Sequence, residues 1–324
     1  MAGTDTVGDT AAGDPETAVD RDVLVIGGGA AGLSAATFLA RYGLDTLVLA
    51  RGTSAIGQCA HLENYLGFPG GVAPDRFLAL GRDQVEVEGG AVREELVERV
   101  APADLADAGV EDGGVAGVDA DRGGFRVESD DGEYLVRYVL AATAYDGDMF
   151  EPFAERVETE EKYGMVATDG GRTSVEGLYA AGWMTDETVH QAAVAAGHGA
   201  RAAVSLVRDD LAARYWPAVA DHYVDWVVHE GRYGGDGWRE DTREWFEKRV
   251  LGDRDPDDPL AEAAFEHLCS EFLDRQIDGS ERERRDREGQ RRLLDRLDDD
   301  VIREYAASLS ESDIAESARA TDDE

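Results

Sequence analysis

Residues 22–32 read Asp22-Val23-Leu24-Val25-Ile26-Gly27-Gly28-Gly29-Ala30-Ala31-Gly32, and this stretch decides the fold. The apolar run Val23–Ile26 leads directly into Gly27-x-Gly29-x-x-Gly32. Leu33, Ala36, Leu39 and Tyr42 then recur at helical spacing. Strand, glycine turn and helix in that order are the context in which the spacing has chemical meaning. Gly27 permits the tight turn, Gly29 lets a pyrophosphate approach the backbone, and Gly32 lets helix and strand pack closely. The phosphates then lie at the positive end of the helix. The reading is a dinucleotide site in an α/β fold, built on Gly27, Gly29, Ala30, Ala31 and Gly32.

The next strand, Thr46–Leu49, ends in Ala50-Arg51. A carboxylate at that point would normally hold the adenosine ribose, and Ala50 can make no such bond. Arg51 either covers the adenine, meets a 2′-phosphate, or is a solvated loop residue. On these residues alone, flavin and nicotinamide nucleotides both remain open.

Three further stretches carry a resemblance. Gly57-Gln58-Cys59-Ala60-His61-Leu62-Glu63-Asn64-Tyr65-Leu66-Gly67-Phe68-Pro69-Gly70-Gly71 resembles the segment after the second strand in thioredoxin reductases. Arg172-Thr173-Ser174-Val175-Glu176-Gly177-Leu178-Tyr179-Ala180-Ala181-Gly182 resembles the second flavin-binding motif of that family. His190-Gln191-Ala192 and Ala196-Gly197-His198-Gly199-Ala200 resemble the helix the family lays against the flavin. The resemblance covers roughly residues 20–208 and is to the FAD half of the family. It implies FAD as cofactor, with Arg51, Gln58, Asn64, Thr143, Gly182, Trp183, Gln191 and Ala192 joining the glycine motif.

Two departures qualify it. The family's aspartate in Ala-Gly-Asp is Trp183 here, with Asp186 as a nearby candidate substitute. Tyr138–Thr143 resembles the strand before the family's inserted nicotinamide domain, and Leu178–Ala180 the strand after it. Only residues 144–177 lie between, fewer than the roughly 50 a separate domain needs. The resemblance thus implies a chain without the nicotinamide domain and its Cys-x-x-Cys. A second glycine pattern, Gly197-x-Gly199-x-x-Ala202, has no strand before it, and reads as a helix face for close packing.

Lys+Arg number 32 against 70 Asp+Glu, a net charge of −38, and Lys162 and Lys248 are the two lysines. Pervasive acid with scarce lysine points to a salt-rich cytoplasm, where self-repulsion is screened. It argues against nucleic acid and anionic membrane as partners. No apolar run approaches the ~20 residues of a membrane span, and residues 1–20 lack the basic start and apolar stretch of a signal peptide. Cys59 and Cys269 form no motif, which leaves no disulfide framework.

The expected organisation is a disordered arm (1–20), a Rossmann-like FAD/NAD(P)-binding domain (21–210), a helical C-terminal domain (211–308) and an acidic tail (309–324). Within the nucleotide domain we expect a parallel sheet, a helix at Pro74–Val87 and a strand region at Ala91–Val100. An antiparallel meander is expected at Gly113–Val118, Phe125–Ser129 and Tyr134–Leu140, and one helix from Thr188 to Val207. Beyond it, helices are expected near 212–230, 239–250, 258–275 and 281–308.

His222, Asp225 and His229 would share one face of the first of these. A metal there needs a further ligand from elsewhere, and a histidine-edged apolar face is the simpler account, so no metal is expected. His267 and Cys269, two residues apart, cannot share a helix face. Cys59 and His61 are the candidate catalytic residues, although a small packing residue is the simpler account of Cys59. The functional expectation is an FAD-dependent oxidoreductase of thioredoxin reductase type. Its electron partner would be a small redox protein, a small-molecule substrate or free NAD(P)H. The alternative is a non-catalytic dinucleotide-binding regulatory or interaction protein, and a homodimer is left open.

Overall fold

The computed structural model describes residues 20–52, 54–105, 123–143, 148–157, 159–160, 165–166, 169–223 and 226–309. In chain order the first elements are β1 (Arg21–Ile26), α1 (Ala30–Tyr42), β2 (Thr46–Leu49), α2 (Pro74–Val87), β3 (Ala91–Arg93), β4 (Val97–Ala103), β5 (Gly124–Ser129) and β6 (Glu133–Ala141). They are followed by β7 (Thr159–Glu160), β8 (Met165–Val166), β9 (Leu178–Ala180), α3 (Ala192–Arg214), α4 (Pro217–Ala220) and β10 (Val228–His229). The chain closes with α5 (Trp238–Arg249), α6 (Pro259–Asp274), β11 (Gln276–Ile277), α7 (Gly279–Leu294) and α8 (Asp299–Ser308).

Among the described residues, seven strands form one sheet in the order β3-β2-β1-β6-β5-β4, with β9 against β6. β1 pairs in parallel with both β2 and β6. Val23 and Val25 face a layer made by α1 and α3, while Leu24 and Ile26 face a second apolar layer. Burial on both faces is why β1 reads as an unbroken apolar run. β6 divides the sheet. Its first half pairs antiparallel with β5, and its second half pairs in parallel with β9.

This is the expected α/β architecture, with some elements displaced. The antiparallel part is β4-β5-β6, so Val97–Ala103 supplies its outer strand. The strand anticipated at Gly113–Val118 lies outside the described residues. The Ala91–Val100 region is two strands, because Glu95 turns inward between them and is buried. The helix expected at Thr188–Val207 begins at Ala192, since Gln191 is extended and its N–H donates to Val189 O at 2.9 Å. It runs on to Arg214, because Leu206, Val207 and Leu211 continue one buried face.

The helix expected at 212–230 is replaced by the single turn α4. Tyr215 leaves helical geometry and Pro217 cannot extend a helix that precedes it. Trp216 then anchors the C-terminal helices, its Nε1 donating to Val250 O at 2.8 Å inside a core with Phe246, Phe265 and Leu268. His222 and His229 therefore share no helix face. His222 meets Trp245 edge to face, and His229 lies in β10 beside β11. Asp225 lies outside the described residues. The expected helix 281–308 is two helices, parted where Asp298, Asp299 and Asp300 favour a new helix start. The expected arm and tail also lie outside the described residues, apart from their inner ends. Asp20 is no arm residue: its N–H donates to Leu135 O and its carboxylate accepts from Leu135 N. No helix among the described residues is long and apolar enough to cross a membrane.

Helix α3 lies directly on α1. A Cβ built on Gly199 would fall 1.9 Å from Ala31 O, whereas one on Gly197 meets nothing within 4 Å. The second glycine pattern is thus a packing face. Gly199→Ala should destabilise the fold by about 1–3 kcal/mol through overpacking. Gly197→Ala, on the exposed side of the same helix, should stabilise it by up to about 1 kcal/mol. Denaturant unfolding of the two variants checks this, and equal effects would place the helix contact elsewhere.

Candidate dinucleotide-binding site

A cleft of about 330 Å³ opens at the carboxyl ends of β1, β2 and β6, where the strand order reverses. Ligands of open α/β sheets bind at such points. Its floor is the glycine turn. Gly27 has φ 112°, and a Cβ there would lie 2.6 Å from Ala142 O. A Cβ on Gly28 would lie 2.5 Å from Ala50 Cβ, and one on Gly29 3.0 Å from Ser54 Oγ. Gly32 does not line the cleft: a Cβ there would come within 1.8 Å of Gly27 O. Its part is to let α1 start hard against the turn. Gly29 caps α1 without a side chain, and the first turn carries no carboxylate. The positive helix end is left facing the cleft.

The end of the cleft beyond β2 is walled by Ala50, Arg51, Ser54, Arg82, Glu95 and Leu96. Arg51 is exposed and pairs with Asp130 at the mouth of the cleft. Glu95 is buried, accepts from Ser129 Oγ at 2.7 Å and from Tyr134 O–H at 2.9 Å, and lies 3.8 Å from Arg93. Burial and the Glu95 carboxylate push the Tyr134 phenol up. Arg82, from α2, has its Nε buried with no hydrogen-bond partner among the described residues, although Nη1 lies 3.4 Å from Glu94.

The opposite end is formed by Cys59, Leu62, Gly182, Trp183, His190, Gln191 and Ala192. The Trp183 indole stacks on the His190 ring at 4.5 Å between centroids. Asn64 Nδ2 donates to Gln191 Oε1 at 2.8 Å, tying the loop after β2 to the start of α3. Between the two ends Thr143 lines the cleft, its Oγ1 buried and without a partner among the described residues.

Of the residues singled out from sequence, Gly27, Gly29, Ala30, Ala31, Arg51, Thr143, Gly182, Trp183, Gln191 and Ala192 converge on this one cleft. Gln58 and Asn64 do not line it: Gln58 is exposed at the end of a short 3-10 turn, and Asn64 acts through Gln191. Cys59 lines the cleft and is exposed, which corrects the reading of it as a packed small residue. The 3-10 turn Ala55–Gln58 buries Ile56 instead and leaves the residue after it outside. His61 is outside the cleft lining, half-exposed, with Nδ1 3.7 Å from Glu63. Asp186 faces a different depression beside His198, and so does not take the place of the missing aspartate. Arg82, Ser54 and Glu95 were not legible from sequence, because α2 and the β3–β4 link carry no motif. Among the described residues, no three His, Cys, Asp or Glu side chains are grouped to hold a metal ion.

Residues 21–94 match the family described as pyridine nucleotide-disulphide oxidoreductase. A thioredoxin reductase of Aquifex aeolicus (strain VF5) is 42% identical over 67 residues, which is 20% of this chain and 21% of that relative. The sequence match thus spans about a fifth of the relative's length. Among solved structures, a thioredoxin reductase from Gloeobacter violaceus superposes with a TM-score of 0.51 at 18% identity, covering 65% of this chain and 99% of that one. The T. acidophilum thioredoxin reductase gives 0.46 at 19% identity, covering 60% and 99%. The chain thus shares its fold with a solved thioredoxin reductase, and its first β-α-β unit is similar in sequence to the pyridine nucleotide-disulphide oxidoreductases.

Proposed function

We propose that the chain is an FAD-dependent oxidoreductase that works without a nicotinamide domain of its own. The observation that carries this reading is the cleft's unfilled polar chemistry. Buried donors are normally satisfied, yet among the described residues Thr143 Oγ1 and Arg82 Nε are both buried and unpartnered on the wall of a glycine cradle. A dinucleotide supplies acceptors for both. Gly27–Gly29 and the first turn of α1 would hold the pyrophosphate, and Arg82 would take the place of the carboxylate missing at Ala50. Trp183 and His190 would cover the ring end and limit its contact with water. When bound, the flavin supplies the electron and hydride transfer.

FAD should co-purify or bind on addition, seen as flavin absorbance with quenched tryptophan and flavin emission. Gly29→Val should abolish binding of both FAD and ADP by filling the phosphate's space. Arg82→Ala should weaken ADP about tenfold, the worth of one hydrogen bond to a charged group, with the unfolding midpoint unchanged. Protein that shows no flavin absorbance even after incubation with excess FAD sinks the proposal.

The donor and acceptor in this reading are a small redox protein, a small-molecule substrate, or free NAD(P)H entering from solvent. Disulfide exchange of thioredoxin reductase type is not part of it. Cys59 stands at the cleft, while Cys269 is buried in the α6 core with Phe246 and Leu268. A second reading, a non-catalytic nucleotide-binding regulator, is favoured by Ala50 and Trp183, which both replace acidic partners. Anaerobic titration of the flavin-loaded protein separates them. Bleaching by NAD(P)H or a reduced carrier, without thioredoxin reduction, is the expected result. Flavin that stays oxidised with every donor supports the regulator, and NADPH-dependent thioredoxin reduction contradicts both.

The setting we infer is a salt-rich cytoplasm. Carboxylates outnumber cations by 70 to 32, so most surface acid repels acid and salt bridges cannot absorb the excess. At about 1 M salt the screening length falls to about 3 Å. The thermal midpoint should therefore rise with added salt. A midpoint that falls or stays level would place the chain among ordinary acidic proteins.

A further inference from the structure

We propose that Glu95 is the ribose-binding carboxylate of the cleft, and that it restricts the site to adenine nucleotides with a free 2′-hydroxyl, excluding 2′-phosphorylated ones. The inference rests on the dinucleotide reading above and narrows it. Ala50 leaves the end of β2 without a side-chain acceptor, and Arg82, which has only donors, cannot supply one. The ribose hydroxyl protons still need a partner. β3 runs beside β2 with Leu49 opposite Arg93, and the Ala50 N–H donates to Arg93 O at 2.8 Å. Glu95 follows two residues later and lines the cleft. The carboxylate absent from β2 is thus replaced from the extension of the neighbouring strand.

Two hydroxyls hold that carboxylate in a fixed orientation. Tyr134 Oη accepts from Arg93 Nη1 at 2.8 Å, which leaves its own proton for Glu95 at 2.9 Å. Ser129 Oγ accepts from the Gly132 N–H at 3.1 Å and donates to Glu95 at 2.7 Å. The Glu95 side chain is only 6% exposed, and the Arg93 guanidinium beside it is 3.8 Å away. A carboxylate has about four acceptor places, and among the described residues these two hydroxyls are the donors that Glu95 meets. A buried charge with acceptor places unfilled is costly, and a ribose hydroxyl at the cleft wall fills one. Leu96, exposed on the same wall, gives the base an apolar surface.

The same arrangement turns away a 2′-phosphate, because the cations at this end are already matched. Arg51 pairs with Asp130, whose carboxylate also accepts from the Leu96 N–H at 2.9 Å. Arg82 Nη1 lies 3.4 Å from Glu94, and Arg93 serves Tyr134 and Glu95. Arg82 Nε keeps one donor, enough for a hydroxyl oxygen but too little to offset a phosphate dianion set against the Glu95 carboxylate. Like charges brought together in this way are a means of rejecting the wrong ligand. FAD, NAD(H) and ADP carry the free hydroxyl, whereas NADP(H) carries the phosphate. NADPH serving as an electron donor would then not compete for the flavin's seat.

Equilibrium binding of ADP, 2′-deoxy-ADP and 2′-phospho-ADP to the full chain, freed of any bound flavin and at one salt concentration, tests this. ADP should bind about tenfold tighter than 2′-deoxy-ADP, the worth of one hydrogen bond to a charged group. It should bind about tenfold or more tighter than 2′-phospho-ADP. Glu95→Gln keeps an oxygen that accepts from Ser129 and Tyr134 but removes the charge, and should narrow the second gap about tenfold. Glu95→Asp keeps the charge but withdraws it by one methylene, and should lose the first gap while retaining most of the second. ADP bound no tighter than its 2′-deoxy or 2′-phospho form, or gaps unchanged in both variants, overturns the role of Glu95 and leaves the dinucleotide site standing. A folded chain that binds none of the three nucleotides, nor FAD, overturns that site and this inference together.

Discussion

The rest of the structure depends on how closely backbone approaches backbone around α1. Gly32 lets the helix start against the Gly27 carbonyl, and Gly199 lets α3 lie against the Ala31 carbonyl. At neither point is there room for a Cβ. The first contact fixes where the positive end of α1 points. The second fixes where α3 begins, and therefore where Trp183, His190, Gln191 and Ala192 stand. Two ends of one cleft are thus set by a single helix whose inner face is Ala30, Ala31, Gly32, Ala35 and Ala36. Larger residues would add buried area at about 25 cal/mol per Å², but they would force the elements apart and lose the site.

Behind that packing lies a buried carboxylate. Asp210 of α3 is 3% exposed, accepts from Tyr138 O–H at 3.1 Å and from Tyr42 O–H at 3.4 Å, and pairs with Arg214 at 2.7 Å and Arg137 at 3.5 Å. Burial, with the Asp210 charge second, drives the Tyr42 phenol far above its usual range, so it stays a donor. A buried charge is costly unless every lone pair is met. Here donors from α1, β6 and α3 meet it, which locks the three elements in one register. In a chain with so much acid, this separates the carboxylates that specify the fold from those that only hydrate its surface.

The sheet and the phosphate turn were legible because their signals are local. Glycine spacing, an apolar run and a helical period all lie within one β-α-β unit, and β2 and α2 emerged with the bounds read for them. What was not legible depends on distant partners. Nothing near Arg82 announces that it will reach a cleft floored by Gly27. Cys59 reads as a packing residue until the turn at Ala55–Gln58 is seen to bury Ile56 in its place. The histidine pattern at 222 and 229 failed for a local reason: Pro217 had already ended the helix on which the spacing relied.

The short crossover between β6 and β9 has a consequence for the site. Met149, Phe150, Phe153, Val157 and Val175 from this segment lie against Leu24, Ile26 and Val139, and so seal the second face of the sheet. The crossover is thereby consumed in covering the core of its own sheet. The end of the cleft near Gly182 is bordered instead by Cys59, His190 and Gln191, all exposed, with the Trp183 indole against the His190 ring. Because Trp183 sits one residue from Gly182, whose positive φ of 65° sets the local backbone, its position is fixed by the same turn that shapes the cleft floor. The end of the cleft near Gly182 is therefore shaped by one short segment, residues 181–192.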